Sequence, residues 1–290
     1  MKLARVGDRG SEIPVLIADD KLFDLRAVVD DLTPASLASG AIDRITELHE
    51  RGELPELPAS TPLRYGSPIA NPGAILCIGL NYAAHAAESG AAAPTDPVLF
   101  LKTPNTLAGP DDDVTIPRNS VKTDWEVELG VVIGRRAHYL SSPEQSRDYI
   151  AGFVVANDLS EREFQIDRSG GQWSKGKCAP GFSPLGPWLV TPDECDPGDL
   201  RLRSWVNGEP RQDSSTADMI FSVDHIIWHL SQFLALEAGD VVLTGTPEGV
   251  ALSGRFPYLK PGDIVEVEIE GLGRQRQRFV EWENNHGDIR

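Results

Sequence analysis

The sequence predicts an α+β protein with a β-rich core, a mixed β-sandwich or rolled sheet, and a small α+β unit at the N-terminus. Three observations carry this. Short apolar or alternating runs recur along the chain, while few stretches show helical periodicity. The strands do not alternate with helices, as a doubly wound parallel sheet requires. A proline-rich stretch, "LPELPASTPLRYGSPIANPG", reads as a linker or wrapping segment after the first unit. The expected division is residues 1–66 and 67–290.

In order, "MKLARV", "IPVLIAD" and "KLFDL" read as strands joined by turns, and "PASLASGAIDRITELHERG" as a helical stretch. "AILCIGL" is a short apolar run closed by glycine, hence a buried strand. "NYAAHAAESG" has helix punctuation, with Asn81 as N-cap candidate and Gly90 as stop. "PVLFLKT", "DWEVELGVVIG", "IAGFVVAND", "GPWLVT", "LRLRSWVNGE", "DVVLTGT" and "DIVEVEIEGLGRQRQRFVEWE" read as strands, and "VDHIIWHLSQFLAL" as a helix among them.

The 290 residues have an ordinary composition for a globular protein and a net charge of −17. That charge argues against nucleic acid and anionic membranes as partners. Cys77, Cys178 and Cys195 fit neither a zinc spacing nor a simple disulfide set, so a reducing cytoplasm is expected. "MKLARVGDRG" has no apolar core for a signal peptide, and no apolar run reaches membrane-spanning length.

"DWEVELGVVIG" carries the most chemistry. Residues two apart on a strand share a face, so Glu126 and Glu128 point the same way as the chain enters a buried strand. Paired carboxylates there repel and lose hydration, and a divalent cation relieves both. Oxygen ligands suit Mg²⁺, Mn²⁺ or Ca²⁺. The plainer alternative is an edge strand with both side chains in water. Asp158, ending another core strand and followed by Arg162 and Gln165, offers a third carboxylate. His85 and Glu88 lie three apart on one helix face, as a general base and its orienting carboxylate would, or as an incidental surface pair.

Two motifs mislead. "GQWSKGKC" nearly matches G-x-x-x-x-G-K-[ST], but Cys178 replaces the hydroxyl residue, and neither a buried strand before it nor a regular helix after it is indicated. "HIIWH", His225 to His229, has a zinc-helix spacing without its glutamate and is better explained by packing. In "LTGTPEGV", Thr244 or Thr246 could present a hydroxyl to a ligand.

Taken together, "CIGLNYAAHAAE", "PVLFLKTPNTLAGPDDDVTIP", "DWEVELGVVIG", "GFVVANDLSEREFQ", "GGQWSKGK", "SPLGPWLVT", "GDVVLTGTPEGV" and "LKPGDIVEVEIEGLG" resemble, in order, the motifs of the fumarylacetoacetate hydrolase family. The resemblance covers about residues 72–280 and is closest to bacterial members acting on 2,4-diketo-3-deoxy sugar acids. It implies the family's C-terminal-domain fold and a metal triad of Glu126, Glu128 and Asp158. It implies a His85–Glu88 dyad in a mobile lid around residues 83–96. It implies substrate contacts at Arg162, Gln165, Lys177 and Thr246, with Lys177 stabilising an oxyanion. The implied reaction is Mg²⁺- or Mn²⁺-dependent C–C hydrolysis of a 2,4-diketo acid to pyruvate and a carboxylic acid, by a homodimer. Oxaloacetate-type decarboxylation or keto–enol isomerisation at the same metal is the alternative. Sugar-acid members often carry Asp where this chain has Pro180, a departure that touches substrate choice more than chemistry.

Overall fold

The structure is a computed structural model describing residues 1–58 and 63–283. The chain opens with an antiparallel meander of β1 (Lys2–Val6), β2 (Ile13–Ala18) and β3 (Lys21–Asp24). The helical stretch after it is two helices, α1 (Pro34–Ala38) and α2 (Ala41–Glu50). Thr33 and Ser36 form a reciprocal capping box at the start of α1, and Pro34 occupies its first turn. Gly40, at φ 75°, is left-handed, so one continuous helix is excluded. Then follow β4 (Ile75–Gly79), α3 (Ala83–Glu88), β5 (Val98–Lys102), β6 (Val114–Thr115), β7 (Val127–Ile133) and β8 (Ile150–Asn157). The chain continues through α4 (Ser174–Lys177), β9 (Leu189–Val190), β10 (Arg201–Val206), β11 (Glu209–Ser215) and α5 (Val223–Ser231). It closes with β12 (Val241–Leu243), β13 (Ile264–Ile269) and β14 (Gly273–Val280).

Two sheets face each other. The larger has nine strands in the order β3-β2-β1-β9-β8-β7-β12-β4-β5, and the smaller five in the order β11-β10-β13-β14-β6. Neighbours are mostly antiparallel, with β12–β4 and β14–β6 parallel. The core between the sheets takes Val127, Leu129, Val131 and Ile133 from β7, Phe153 and Val155 from β8, and Val265, Val267 and Ile269 from β13. A second core covers the other face, where Leu3, Leu16, Leu37 and Ile45 meet Cys77, Val132 and Leu243. β7 is therefore buried on both faces, as its unbroken apolar run requires.

The 66/67 boundary does not divide this sheet. β1 pairs with β9 through Lys2↔Val190 and Leu3↔Leu189, so the N-terminal strands extend the sheet that carries β7 and β8. The proline-rich segment returns the chain alongside that extension, with Gly66 N–H donating to Arg5 O and Ala70 N–H to Leu32 O. Its residues 59–62, like 284–290, lie outside the described residues. Among the described residues, no helix is long and apolar enough to cross a membrane.

Candidate active site

Alternation along β7 sends its odd-numbered residues into the inter-sheet core. Glu126 and Glu128 consequently project from the opposite face at the strand's start. Asp158 directly follows β8 and is drawn alongside by its own N–H, 2.9 Å from Glu126 O. One carboxylate oxygen from each of Glu126, Glu128 and Asp158 lies within 4.8 Å of the others, and all three residues are buried.

Their surroundings are unequal. Lys177 Nζ donates to Glu126 Oε2 and to Asp158 Oδ2, each at 2.6 Å. Lys102 Nζ donates to Asp158 Oδ1 at 2.5 Å. Arg162 donates to Glu126 Oε1 at 2.6 Å and to Asp124 Oδ2 at 2.8 Å. Burial alone would raise the pKa of Glu126, but the charges of Arg162 and Lys177 outweigh it and hold that carboxyl well below the usual range. Among the described residues Glu128 pairs with no cation; Gly245 N–H donates to its Oε2 at 2.9 Å. Burial, then the charges of Asp158 and Glu126, push its pKa well up. Four buried carboxylates thus meet three buried cations. The uncompensated one belongs to an all-oxygen cluster, the donor set and charge deficit that a hard divalent cation fits.

Above this floor stands the dyad. His85 Nδ1 lies 3.1 Å from Glu88 Oε1. Glu88 also accepts from Gly249 N–H at 3.0 Å and from Arg255 Nη2 at 2.6 Å. Burial raises its pKa, but the hydrogen bonds from His85, Arg255 and Gly249 prevail and the pKa is lowered, so Glu88 is ionised at neutral pH. An ionised Glu88 accepts the Nδ1 proton and leaves Nε2 free as a base. The helix is capped by Tyr82 without a side-chain bond, not by Asn81. Asn81 instead bridges Thr244 O and Phe221 with its side chain, tying the approach to α3 to the body. Within the stretch 83–96, expected as a mobile lid, His85 and Ala86 are buried and the other residues are exposed or half-exposed.

Floor and rim enclose one cavity of about 310 Å³. His85, Glu88, Glu126, Glu128, Arg162, Gln165, Lys177 and Thr246 all line it, with Asp158 beneath. Phe100, Trp173, Leu80, Ile166 and Leu252 complete the wall. Three expected substrate contacts are largely taken up within the protein, Lys177 by the Glu126 and Asp158 carboxylates. Arg162 reaches Gln165 Oε1 at 2.9 Å besides its two carboxylates, and the Thr246 hydroxyl donates to Val127 O at 2.9 Å. The near-match to a phosphate loop has a packing origin: a Cβ at Gly176 would collide with Glu161 O and Gln165, so glycine lets α4 close on the segment carrying Arg162. His225 and His229 are stacked at 6.1 Å on α5, away from this cavity's lining.

Lys102, Asp124 and Gln212 were not singled out from sequence. Lys102 was readable: in "PVLFLKT" it shares the inward face of β5 with Phe100. Asp124 extends the alternation of Glu126 and Glu128, but its oxygens serve Arg162 and the N–H groups of Ala251 and Leu252.

Residues 74–280 match the model of the fumarylacetoacetate (FAA) hydrolase C-terminal family. The chain is 46% identical to a 2,4-didehydro-3-deoxy-L-rhamnonate hydrolase of Sphingomonas sp. (strain SKA58), covering 97% of each chain. Among solved structures, it is similar to maleylpyruvate hydrolase from Sphingobium sp. SYK-6 in complex with manganese(II) ion and pyruvate, with TM-score 0.80, 25% identity and coverage of 98% of this chain and 100% of that one. It is also similar to 5-carboxymethyl-2-hydroxymuconate delta-isomerase from Mycobacterium smegmatis, with TM-score 0.76, 31% identity and coverage of 98% and 100%.

Proposed function

We propose, from the premise that this chain belongs to the fumarylacetoacetate hydrolase family, that it is a metal-dependent hydrolase of 2,4-diketo acids, releasing pyruvate and a carboxylic acid. The observation that carries this is one cavity with a carboxylate triad on its floor and an oriented His–Glu dyad on its rim. Glu126, Glu128 and Asp158 would hold a divalent cation, Mg²⁺ or Mn²⁺, which supplies Lewis acidity when bound. The chain's own groups account for the water. His85, its tautomer set by Glu88, takes a proton from water through Nε2 as the oxygen adds to C4. The buried Lys177 ammonium, with its pKa raised, and the Gln165 amide offer positive charge to the oxyanion. Collapse breaks the C3–C4 bond. C3 leaves with the electron pair and is protonated, giving pyruvate, while C4 becomes a carboxyl group.

The cavity also supports a narrower substrate. Arg162 and Lys177 are its lining cations among the described residues, and both are paired to carboxylates. Leu80, Ala91, Ile166, Trp173 and Leu252 make the remaining wall apolar, and Ser89, also lining it, has a buried hydroxyl without a partner. Such a wall favours a short, uncharged acyl end beyond C4 carrying a hydroxyl, over one ending in a second carboxylate. The substrate named for the Sphingomonas relative is of this kind. The test is a panel of 2,4-diketo acids with hydroxyalkyl, alkyl and carboxylate ends, together with oxaloacetate, assayed with Mg²⁺ or Mn²⁺ for pyruvate and CO₂. Fastest pyruvate release from a hydroxyalkyl end is expected. Equal turnover of carboxylate-ended acids would refute the narrower reading. CO₂ loss from oxaloacetate without hydrolysis of any diketo acid would refute the hydrolase and leave decarboxylation.

A further inference from the structure

Gln212 is the one buried residue of β11, an edge strand of the smaller sheet that is otherwise exposed or half-exposed. Its side chain crosses between the sheets and uses its full hydrogen-bonding capacity. Oε1 accepts from Val127 N–H at 3.1 Å and from the Ser204 hydroxyl at 2.9 Å. Nε2 donates to Thr246 Oγ1 and to Pro247 O, both at 2.8 Å. An amide has two donors and two acceptor lone pairs, and all four are matched. A residue needed only to fill a core would be apolar, because a buried amide is tolerated only when fully bonded.

The partners give the arrangement its meaning. Val127 lies between Glu126 and Glu128, so its peptide groups set how those two carboxylates stand relative to each other. Its N–H is held by Gln212 and its C=O by the Thr246 hydroxyl, while Thr246 is itself held by Gln212. The ring closes on the turn whose Gly245 N–H donates to Glu128. On the other side, Asn157 Oδ1 accepts from Glu126 N–H at 3.0 Å, so consecutive N–H groups at the mouth of β7 are each capped by an amide side chain.

We infer that Gln212 is a positioning residue of the carboxylate floor: by pinning Val127 and the Thr246 turn together, it fixes the spacing of Glu126 and Glu128 for a divalent cation. The inference rests on the metal reading above. Groups that orient metal ligands typically change affinity 10–100-fold when removed, and about that much is expected here.

The experiment is Mn²⁺ titration by calorimetry on the full chain. Gln212→Leu keeps the volume and deletes all four bonds. It should raise the Mn²⁺ Kd by about 10–100-fold while near-UV circular dichroism stays native. Ser204→Ala removes two bonds in the same cluster but none to β7, and should leave the Kd unchanged at a similar loss of melting temperature. If Gln212→Leu does not fold, Gln212→Asn is read on the same scale, since it keeps the amide but draws it back from Val127 and Thr246. A native-like Gln212 variant with wild-type Mn²⁺ affinity overturns the inference. So does an equal effect of Ser204→Ala, which would make the cluster merely structural. Wild type that binds no Mn²⁺ would instead overturn the metal reading and this inference with it.

Discussion

The floor and the rim of the cavity hold their charges in different ways. On the floor, Asp158 accepts a different lysine on each oxygen, Glu126 lies between an arginine and a lysine, and every partner is buried. On the rim, Glu88 is held on a six-residue helix by one backbone N–H, one histidine and Arg255, whose side chain is 56% exposed. Floor charges are set by buried groups held at the ends of β5, β7 and β8, on α4 and in the segment carrying Arg162, so they form a rigid template. Rim charges depend in part on the exposed Arg255, a contact that costs little to break. The division suits a reaction needing a constant electrostatic floor and a base that must admit water.

The largest expected effects come from breaking the floor, and they separate its members. Asp158→Ala leaves the buried Lys102 ammonium without a carboxylate and Lys177 with Glu126 alone. It should abolish metal-dependent turnover and also destabilise the fold by about 3–5 kcal/mol, read by denaturant unfolding. The repulsion expected between empty-site carboxylates is concentrated instead on Glu128, which has no cationic partner among the described residues. Glu128→Gln should therefore abolish turnover without loss of apo-protein stability. The sign of the pH effect follows. A carboxyl whose folded pKa lies above its unfolded value disfavours folding once ionised, and must lose its proton before binding a cation. Mn²⁺ affinity should thus weaken as pH falls through that raised pKa, while the apo wild type gains stability relative to Glu128→Gln. Equal stability losses for Asp158→Ala and Glu128→Gln would show that the floor is not divided in this way.

Much of the floor was legible in sequence because strand geometry is periodic. Glu-x-Glu before a buried run, with an acid closing another core strand, already placed Glu126, Glu128 and Asp158 together. Lys102 obeys the same alternation. Gln212 does not, because it arrives from the other sheet, 85 residues from Val127, and only tertiary packing brings it there. The pairing of β1 with β9 was not legible for a similar reason: prolines mark where backbone hydrogen bonds cannot form, not where a sheet ends, and the two strands are far apart in sequence. The rim was readable as a three-residue spacing, but not its tether, since nothing local links Glu88 to Arg255.

His85→Ala tests the rim at the next level. Diketo-acid hydrolysis should fall by about 10²–10⁴-fold, the usual contribution of a general base. Mn²⁺ affinity should hold, because no floor ligand is touched. Single-turnover kinetics and calorimetry read the two separately. Intact hydrolysis in this variant would remove the dyad from the mechanism.

Arg255→Ala should have the smallest effect and sharpens the comparison most. An exposed ion pair is worth little, so at neutral pH the rate should fall about fivefold or less. The informative change is on the acid side. Burial raises the pKa of Glu88, and the bonds from His85, Arg255 and Gly249 bring it below its ordinary value. Its contribution is therefore present above the unfolded carboxyl pKa and lost as pH falls through the lowered folded one. Without Arg255 one of those bonds is gone, so the acid limb of kcat should move toward neutral pH. The acid dependence of Mn²⁺ affinity, set on the floor by Glu128, should stay where it was. If both profiles shift together, floor and rim are one coupled unit rather than a fixed template beneath an adjustable base.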